Sequence, residues 1–260
     1  MAELMSEREG AVGTLLFSNL PKMNAMTYDM WQAVPAAIAA FDRDPDIRAI
    51  VVAGDGDRAF ISGADISQFE KLRGSAEAQA EYNRVVAAAT VAVQDCRKPV
   101  IARIRGICIG GGLGFAAACD VRICSDDAVF RMPAARLGLG YGAAGVRNLV
   151  NLIGAANTAD IFFSARKFNA DDALRMGYVS QVHHSARLVE AVTLYANTVA
   201  ENAPLTMAAA KFTIRQLLSD ERERDLETAN AMVKACFESE DYKEGRRAFM
   251  EKRTPRFLGR

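Results

Sequence analysis

The stretch that decides the fold runs from Gly106 to Asp120 and reads GICIGGGLGFAAACD. Residues 98–106, KPVIARIRG, are typical of a buried strand, and GLGFAAACD is typical of a helix rich in small residues. Gly110, Gly111 and Gly112 therefore stand at a predicted strand-to-helix junction. Glycine lets a ligand oxygen approach the backbone closely, and the first N–H groups of a helix have no intrahelical partner. The junction is suited to holding an anion, and equally to packing a helix tightly on a sheet.

Two kinds of anion site use such a backbone, a phosphate cradle and an oxyanion hole. The phosphate patterns fail, because no register gives Gly-x-Gly-x-x-Gly and no Gly-Lys-Ser/Thr follows. A second loop, AFISGADI at residues 59–66, follows another predicted strand, IRAIVVAGDG. Two such loops can hold one carbonyl oxygen between their N–H groups, and each donor is worth roughly 3–4 kcal/mol of activation barrier. The pair of loops favours an oxyanion hole.

The rest of the chain predicts two regions of different character. In residues 1–185 short apolar runs alternate with helical patterns, which indicates an α/β core built from repeated units. Residues 186–260 are helical throughout, with apolar residues at three- and four-residue spacing. We expect this second region to cover either its own core or a neighbouring subunit.

Composition excludes several classes of function. The 260 residues carry a formal net charge of zero, which gives no electrostatic case for nucleic acid or an anionic membrane as partner. Five cysteines without CxxC spacing favour reduced thiols in a cytoplasm. The two histidines, His183 and His184, are adjacent and offer too few ligands for a metal site. No apolar run is long enough for a membrane span or a signal peptide.

The two glycine-bearing loops together resemble those of the crotonase superfamily, the enoyl-CoA hydratase/isomerase family. Other segments extend the resemblance over nearly the whole chain: PKMNAM at 21–26, MPAARLGLGYGAAG at 132–145 and AFMEKRTPRFLGR at 248–260. The resemblance implies a spiral of ββα units followed by a helical trimerisation region, assembled as a homotrimer or a dimer of trimers. It implies an acyl-CoA thioester as substrate, with coenzyme A as part of that substrate and no covalently bound cofactor.

The same resemblance assigns roles to individual residues. The N–H groups of Ala64 and Gly111 would form the oxyanion hole for the thioester carbonyl. Coenzyme A would be bound by Lys22, Ala25, Ala64, Asp65, Ile66, Lys252 and Arg253. Within this set the cations approach the phosphates, those of the tail from a neighbouring subunit. Solvated surface remains the alternative for these cations.

Two positions depart from the family pattern. Where family hydratases carry glutamates, this chain has Gly114 and Ala134. Hydration needs a base to activate water and an acid to protonate carbon, so we expect weak or no hydration. An acid at Asp65, Glu70 or Glu81 offers an alternative route for the proton.

Three functions remain open at this point. The first is an acyl-CoA enzyme that works through a thioester enolate. The second is a malonyl-type decarboxylase, because related decarboxylases carry a tyrosine close to the position of Tyr141, and Arg136 or Arg147 would then bind the acyl carboxylate. The third is a non-catalytic acyl-CoA-binding protein. Simple packing is the alternative for Tyr141, and a surface ion pair is the alternative for each arginine.

Overall fold

The computed structural model describes residues 2–68 and 75–260. Ten strands lie at β1 Glu3–Glu9, β2 Val12–Ser18, β3 Ala49–Gly54, β4 Ala59–Ile61, β5 Val100–Ile104, β6 Ile107–Ile109, β7 Val121–Ser125, β8 Val129–Arg131, β9 Lys167–Asn169 and β10 Gln181–His183. Ten described helices lie at α1 Tyr28–Arg43, α2 Ala76–Asp95, α3 Gly111–Ala118, α4 Ala134–Leu137, α5 Ala143–Ser164, α6 Ala170–Arg175, α7 Leu188–Ala200, α8 Pro204–Leu218, α9 Leu226–Glu238 and α10 Glu240–Glu251.

The ten strands form two sheets. The six-stranded sheet has the order β1-β2-β3-β5-β7-β10, and the four-stranded sheet has the order β4-β6-β8-β9. Three units, β3-β4-α2, β5-β6-α3 and β7-β8-α4, send one strand to each sheet before their helix, whereas β1 and β2, which precede α1, both lie in the large sheet. Apart from the edge strands β1 and β9, which pair antiparallel, the strands within each sheet are parallel. The predicted α/β core of repeated ββα units is confirmed.

The main core lies between the two sheets and helices α1, α2 and α3. Its aromatic centre is a chain of edge-to-face rings in which Phe115 contacts both Phe17 and Trp31, each with ring centroids 5.5 Å apart. The other face of the large sheet is covered by α7, whose Leu188 and Val192 pack on Val51 and other strand residues. Because parallel strands buried on both faces need apolar side chains throughout, β3 reads AIVVAG without alternation.

The last three helices extend beyond this core and are tied to it by a lysine. Lys211 of α8 donates to the carbonyls of Val93 and Lys98, and its ammonium lies 2.8 Å from the Asp120 carboxylate. Exposed apolar side chains remain on this region: Ile214, Leu217, Leu218, Val233, Phe237, Phe249 and Met250. The predicted C-terminal helical region is present. The boundary at residue 185 stays a prediction, and α7, which follows it, packs on the sheet.

β1 and α5 are two elements that the sequence patterns did not predict. β1 forms from the charged N-terminal segment, which was not expected to be a strand, because it pairs along its whole length with β2. Its burial pattern is almost entirely exposed, so it carries no apolar run for a sequence pattern to detect. Helix α5 lies beyond the glycine-rich stretch 138–142 and bends at Gly154, which interrupts the periodicity.

Candidate active site

The two glycine-bearing loops leave neighbouring strands at the same level. In the pairing of β4 with β6, Ile61 lies opposite Cys108. Ala64 and Gly111 each follow three residues after these partners. Since paired strands are about 4.8 Å apart, the two loops emerge side by side. The two segments are near each other, because a Cβ added to Gly63 would lie 3.7 Å from the Ile109 carbonyl oxygen, an ordinary van der Waals distance. The structure therefore brings the two predicted oxyanion-hole residues together.

Both N–H groups are left available by the fold. Ala64 forms a parallel bridge with Met26, in which Met26 N donates to Gly63 O and Asp65 N donates to Met26 O. In such a bridge the central residue directs its own N–H away from the partner segment. Gly111 is the first residue of α3, where an N–H has no intrahelical acceptor. Among the described residues neither N–H has an acceptor on the chain. Two free donors on adjacent loops are the arrangement that polarises a carbonyl.

Glycine is required at two points of this arrangement. Gly110 caps α3 with φ 56° and ψ −114°, a conformation that L side chains strain to adopt. Gly112 is packed so closely on β4 that a Cβ there would lie 2.6 Å from both the carbonyl oxygen and the Cβ of Ile61. The first glycine sets the turn and the second brings the helix start against the strand. The close packing offered as one alternative for these glycines is observed at Gly112, and anion binding stays a prediction.

The helix that carries Gly111 is held by two residues, one that contacts its first turn and one that contacts its end. Tyr178, which is buried, donates its hydroxyl to Leu113 O at 2.7 Å. Arg122 donates to Tyr178 O and also to Cys119 O, close to where the helix ends. Because a cation near the last carbonyls of a helix is favourable, Arg122 stabilises α3 as well as binding it. Neither residue was predicted from the sequence, because Tyr178 is 56 positions from Arg122 and 65 from Leu113.

Two asparagines position the loop that contains Lys22. Asn24 has a left-handed φ of 56°, and its side-chain amide donates to the carbonyls of Asp55 and Ala59. Asn19 is buried, and its side-chain amide donates to Ala25 O. Ala25 is likewise buried. The PKMNAM motif contains Asn24, although only Lys22 and Ala25 were chosen from it, and Asn19 precedes the motif.

Lys22 and Asp65 form the charged pair at the mouth of the site. The Lys22 ammonium lies 3.0 and 2.8 Å from the two Asp65 oxygens and 2.8 Å from Ser67 Oγ. Burial opposes ionisation of Asp65, but hydrogen bonds from Lys22 and Ser67 outweigh it and hold its pKa below the usual value. Ile66 beside it is largely exposed. The lysine side chain is half exposed, so its ammonium also faces solvent.

The predicted third catalytic residue, Tyr141, lies in the loop before α5. It is partly exposed, and its ring packs edge-on to Phe162 with centroids 5.3 Å apart. The nearby Arg147 pairs with Asp220 at 3.1 Å, which is the surface ion pair given above as its alternative. Arg136 is exposed. Tyr141 therefore has the packing contact foreseen for it as well as an exposed ring.

Helix α3 has space at the position one turn after Gly111. A Cβ added to Gly114 would meet no atom within 4 Å. Ala134, in contrast, is buried at the start of α4. The side of α3 at Gly114 is thus open.

The acids considered for proton transfer are engaged elsewhere. Glu81 accepts from Arg84 and from the Tyr28 hydroxyl, and these hydrogen bonds lower its pKa. Asp65 is paired as described, and Glu70 lies outside the described residues. A general base near neutral pH needs a pKa close to 7, so the lowered values of Glu81 and Asp65 suit neither to that role.

The described side-chain contacts of Arg253 lie within the C-terminal region. Arg253 is held by the Glu244 carboxylate at 2.6 and 3.0 Å, and Lys252 is exposed. Farther along the tail, Phe257 O accepts from Arg48, which precedes the amino end of β3.

Three buried cysteines and the search for metal ligands point to no further site in the described part of the chain. Burial raises the pKa of Cys96, Cys119 and Cys124 to about 12, so these thiols stay protonated at neutral pH. Among residues 2–68 and 75–260 no group of three potential metal ligands is found. No helix in the same part of the chain has the length and apolarity to cross a bilayer.

Comparison with known proteins shows which family the chain belongs to. The family model described as enoyl-CoA hydratase/isomerase matches residues 7–260. The chain belongs to this family. The short-chain-enoyl-CoA hydratase of Clostridium acetobutylicum is 30% identical over 247 residues, covering 95% of this chain and 94% of that protein. The peroxisomal Delta(3,5)-Delta(2,4)-dienoyl-CoA isomerase of Arabidopsis thaliana is 31% identical over 260 residues, covering 96% and 93%.

Solved structures of the enoyl-CoA hydratase/isomerase family share the whole fold. An enoyl-CoA hydratase/carnithine racemase from Magnetospirillum magneticum superposes with a TM-score of 0.93 at 30% identity, covering 100% of this chain and 97% of that one. An enoyl-CoA hydratase from a Polaromonas species gives a TM-score of 0.90 at 25% identity, covering 98% and 99%. The crotonase-like fold expected from the sequence is confirmed.

Proposed function

We propose that this protein binds an acyl-CoA thioester and stabilises its enolate between the N–H groups of Ala64 and Gly111. The observation that supports the proposal is the pair of unpartnered donors on adjacent loops. Negative charge that develops on the thioester oxygen gains most from donors that are already oriented, because no reorganisation is then needed. The helix start at Gly111 adds the positive end of a macrodipole.

Coenzyme A would lie along the mouth of this site. Lys22 offers a half-exposed ammonium to a phosphate, and Asp65, Ala25 and Ile66 border the bend of the ligand. Lys252 and Arg253 would reach the phosphates of coenzyme A bound to a neighbouring subunit. Arg253 would have to leave the Glu244 carboxylate to make this contact.

Hydration is expected to be weak. The positions at which family hydratases would carry glutamates hold Gly114 and Ala134, neither of which can move a proton. The engaged state of Asp65 and Glu81 supports this expectation. Polarisation of the carbonyl therefore remains while the usual acid and base are missing.

A second candidate is decarboxylation of a malonyl-type thioester, favoured by the exposed part of Tyr141. In that reaction the bond to the carboxylate carbon breaks, carbon dioxide leaves, and the electron pair moves into the thioester enolate. Two N–H donors stabilise this enolate without a general base, and the Tyr141 hydroxyl would return a proton to carbon. A binder without turnover is the third candidate, and it needs only the same two loops.

The assembly proposed is a homotrimer or a dimer of trimers. Helices α8, α9 and α10 border an apolar groove of about 760 Å³ whose walls include Ile214, Val233 and Phe249. Contiguous exposed apolar surface of this kind is typical of an interface. A neighbouring copy would cover it and would also bring its tail cations toward the coenzyme.

The test combines binding and turnover in one preparation. Affinity for crotonyl-CoA is measured by calorimetry, and its hydration is followed by loss of the conjugated thioester's ultraviolet absorbance beside an active hydratase. Binding with little hydration is the expected result, and methylmalonyl-CoA then tests decarboxylation. Absence of binding to any CoA thioester contradicts the proposal, and hydration at the control rate contradicts the expected weak activity.

A further inference from the structure

Two arginines, Arg103 and Arg105, lie two residues apart at the carboxyl end of β5. Arg103 of β5 pairs in register with Ile123, whose side chain packs under α7. Side chains alternate along a strand, so Arg103 shares the α7-covered face with Ile123, and Arg105 follows two residues later, just past the end of β5. The Arg103 guanidinium is half-buried: desolvation lowers its pKa, and the charge of Arg105 lowers it further.

Neither arginine has a partner in the described part of the chain. Among residues 2–68 and 75–260 no side-chain hydrogen bond or ion pair involves the guanidinium of Arg103 or Arg105, and Arg105 Nε is shielded from solvent without an acceptor. Glu7 is the acid whose charge reaches Arg103, yet it makes no ion pair with it. Two like charges in partial burial are unfavourable unless something compensates them.

Other arginines of the chain show how a buried guanidinium is normally satisfied. Arg122 donates to the carbonyls of Tyr178, Ala116 and Cys119. Arg131 is only partly buried and still donates to Ala165 O at 2.8 Å. The arrangement at Arg103 and Arg105 is thus a departure within this same protein, and it lies outside the oxyanion loops.

We propose that Arg103 and Arg105 together bind an oxyanion, a phosphate or a carboxylate group. The guanidinium fork matches the spacing of two oxygens in either group, and an anion between two forks removes their mutual repulsion. Arg105 Nε then gains the acceptor that it lacks on its own chain. The group has two possible sources: a free small anion, or a carboxylate on a second copy of this chain.

The experiment measures anion binding and assembly state on the full-length protein. Inorganic phosphate and citrate are titrated by calorimetry at constant ionic strength, and sedimentation velocity is recorded on the same samples. The variants are Arg103→Gln, Arg105→Gln and Arg103→Lys, the last keeping the charge while losing the fork. Arg222→Gln is the matched control, because Arg222 is exposed and lies on the separate segment between α8 and α9.

A free anion as the source predicts saturable binding that each variant weakens about tenfold or more and that Arg222→Gln leaves unchanged. A carboxylate of a second copy predicts that the Arg103 and Arg105 variants dissociate the assembly while the control does not. Unchanged sedimentation in all variants overturns the proposal if phosphate and citrate either fail to bind the wild type or bind every variant equally. Arg103→Lys distinguishes loss of the fork from misfolding, since it preserves the charge and the long side chain.

Discussion

Lys22 and Asp65 are far apart in the sequence, yet the Lys22 ammonium contacts both oxygens of the Asp65 carboxylate, at 3.0 and 2.8 Å. The contact joins the PKMNAM loop to the loop that presents the Ala64 N–H. Asp65 is almost fully buried, so its charge depends on this partner and on Ser67. The pair is therefore a structural support of the candidate site as well as its outer boundary.

Asp65→Asn should lower the free energy of unfolding at pH 7 by about 1–3 kcal/mol, because buried hydrogen bonds to a charge are lost. The folded-state pKa of Asp65 is lowered, so its contribution is complete above the unfolded-state value of about 3.9. It is lost as the pH falls through the lower, folded-state pKa. Urea titrations from pH 7 to pH 3 should therefore show the two proteins converging at low pH. Asp46→Asn is the exposed control, and a parallel offset at every pH contradicts the prediction.

Gly112→Ala should destabilise the protein by about 1–3 kcal/mol, because its Cβ would lie 2.6 Å from Ile61 backbone and side-chain atoms. Gly114→Ala in the same helix is the matched control. Its Cβ meets nothing within 4 Å, and alanine is the better helix former by about 1 kcal/mol. Thermal unfolding should show opposite signs for the two variants. Equal effects would be incompatible with the packing described for β4 and α3.

Gly111→Pro should remove one of the two proposed donors while leaving the helix intact, since proline is tolerated at a first helical position. Gly111→Ala is its control, because it adds a side-chain atom 3.4 Å from the Trp31 ring and keeps the N–H. The measurement is the red shift of a cinnamoyl-CoA thioester on binding, which reports carbonyl polarisation without turnover. We expect the shift in the wild type and the alanine variant only. A full shift in a folded proline variant would falsify the role of this N–H.

Gly114→Glu combined with Ala134→Glu should raise the rate of crotonyl-CoA hydration. General acid–base catalysis contributes about 10²–10⁴-fold, which gives the size of the largest expected gain. The open side of α3 at Gly114 can admit the first side chain, whereas the buried Ala134 site needs local adjustment. The Gln/Gln double variant has nearly the same shape and no proton to transfer, so it should stay at the wild-type rate. A folded Glu/Glu variant without gain opposes our placement of these two positions.

Phe237→Asp should shift the assembly toward smaller species, because it puts a charge into the apolar groove of α8, α9 and α10. Lys234→Asp in the same helix is the control, since Lys234 is highly exposed and does not line the groove. Light scattering after size exclusion measures the mass of each. Removal of residues 186–260 is a harsher test and should give insoluble or monomeric protein, because α7 covers one face of the sheet. A trimer from either altered protein excludes this surface as the interface.

The sequence by itself determined the class of fold and the location of the candidate oxyanion hole. Apolar strands alternating with helices indicate an α/β core, and glycines at two strand ends mark where the backbone must stay bare. These features are local, since each depends on residues within one or two turns of chain. The run of glycines is visible in the sequence, and the structure gives its reason: the φ and ψ of Gly110 strain L side chains, and a Cβ on Gly112 would lie 2.6 Å from Ile61.

The tertiary structure alone decided which groups are engaged. Lys22 is bound to Asp65, Glu81 to Arg84, and Arg253 to Glu244, and the sequence shows these residues only as charges. It also decided that Ala64 and Gly111 emerge from adjacent strands at one level, and that Phe257 O of the tail accepts from Arg48, which precedes β3. Such relationships depend on strand order and register, which place residues far apart in sequence within a few ångströms of each other. Local patterns cannot specify them, because each charge has many possible partners until the sheets have formed.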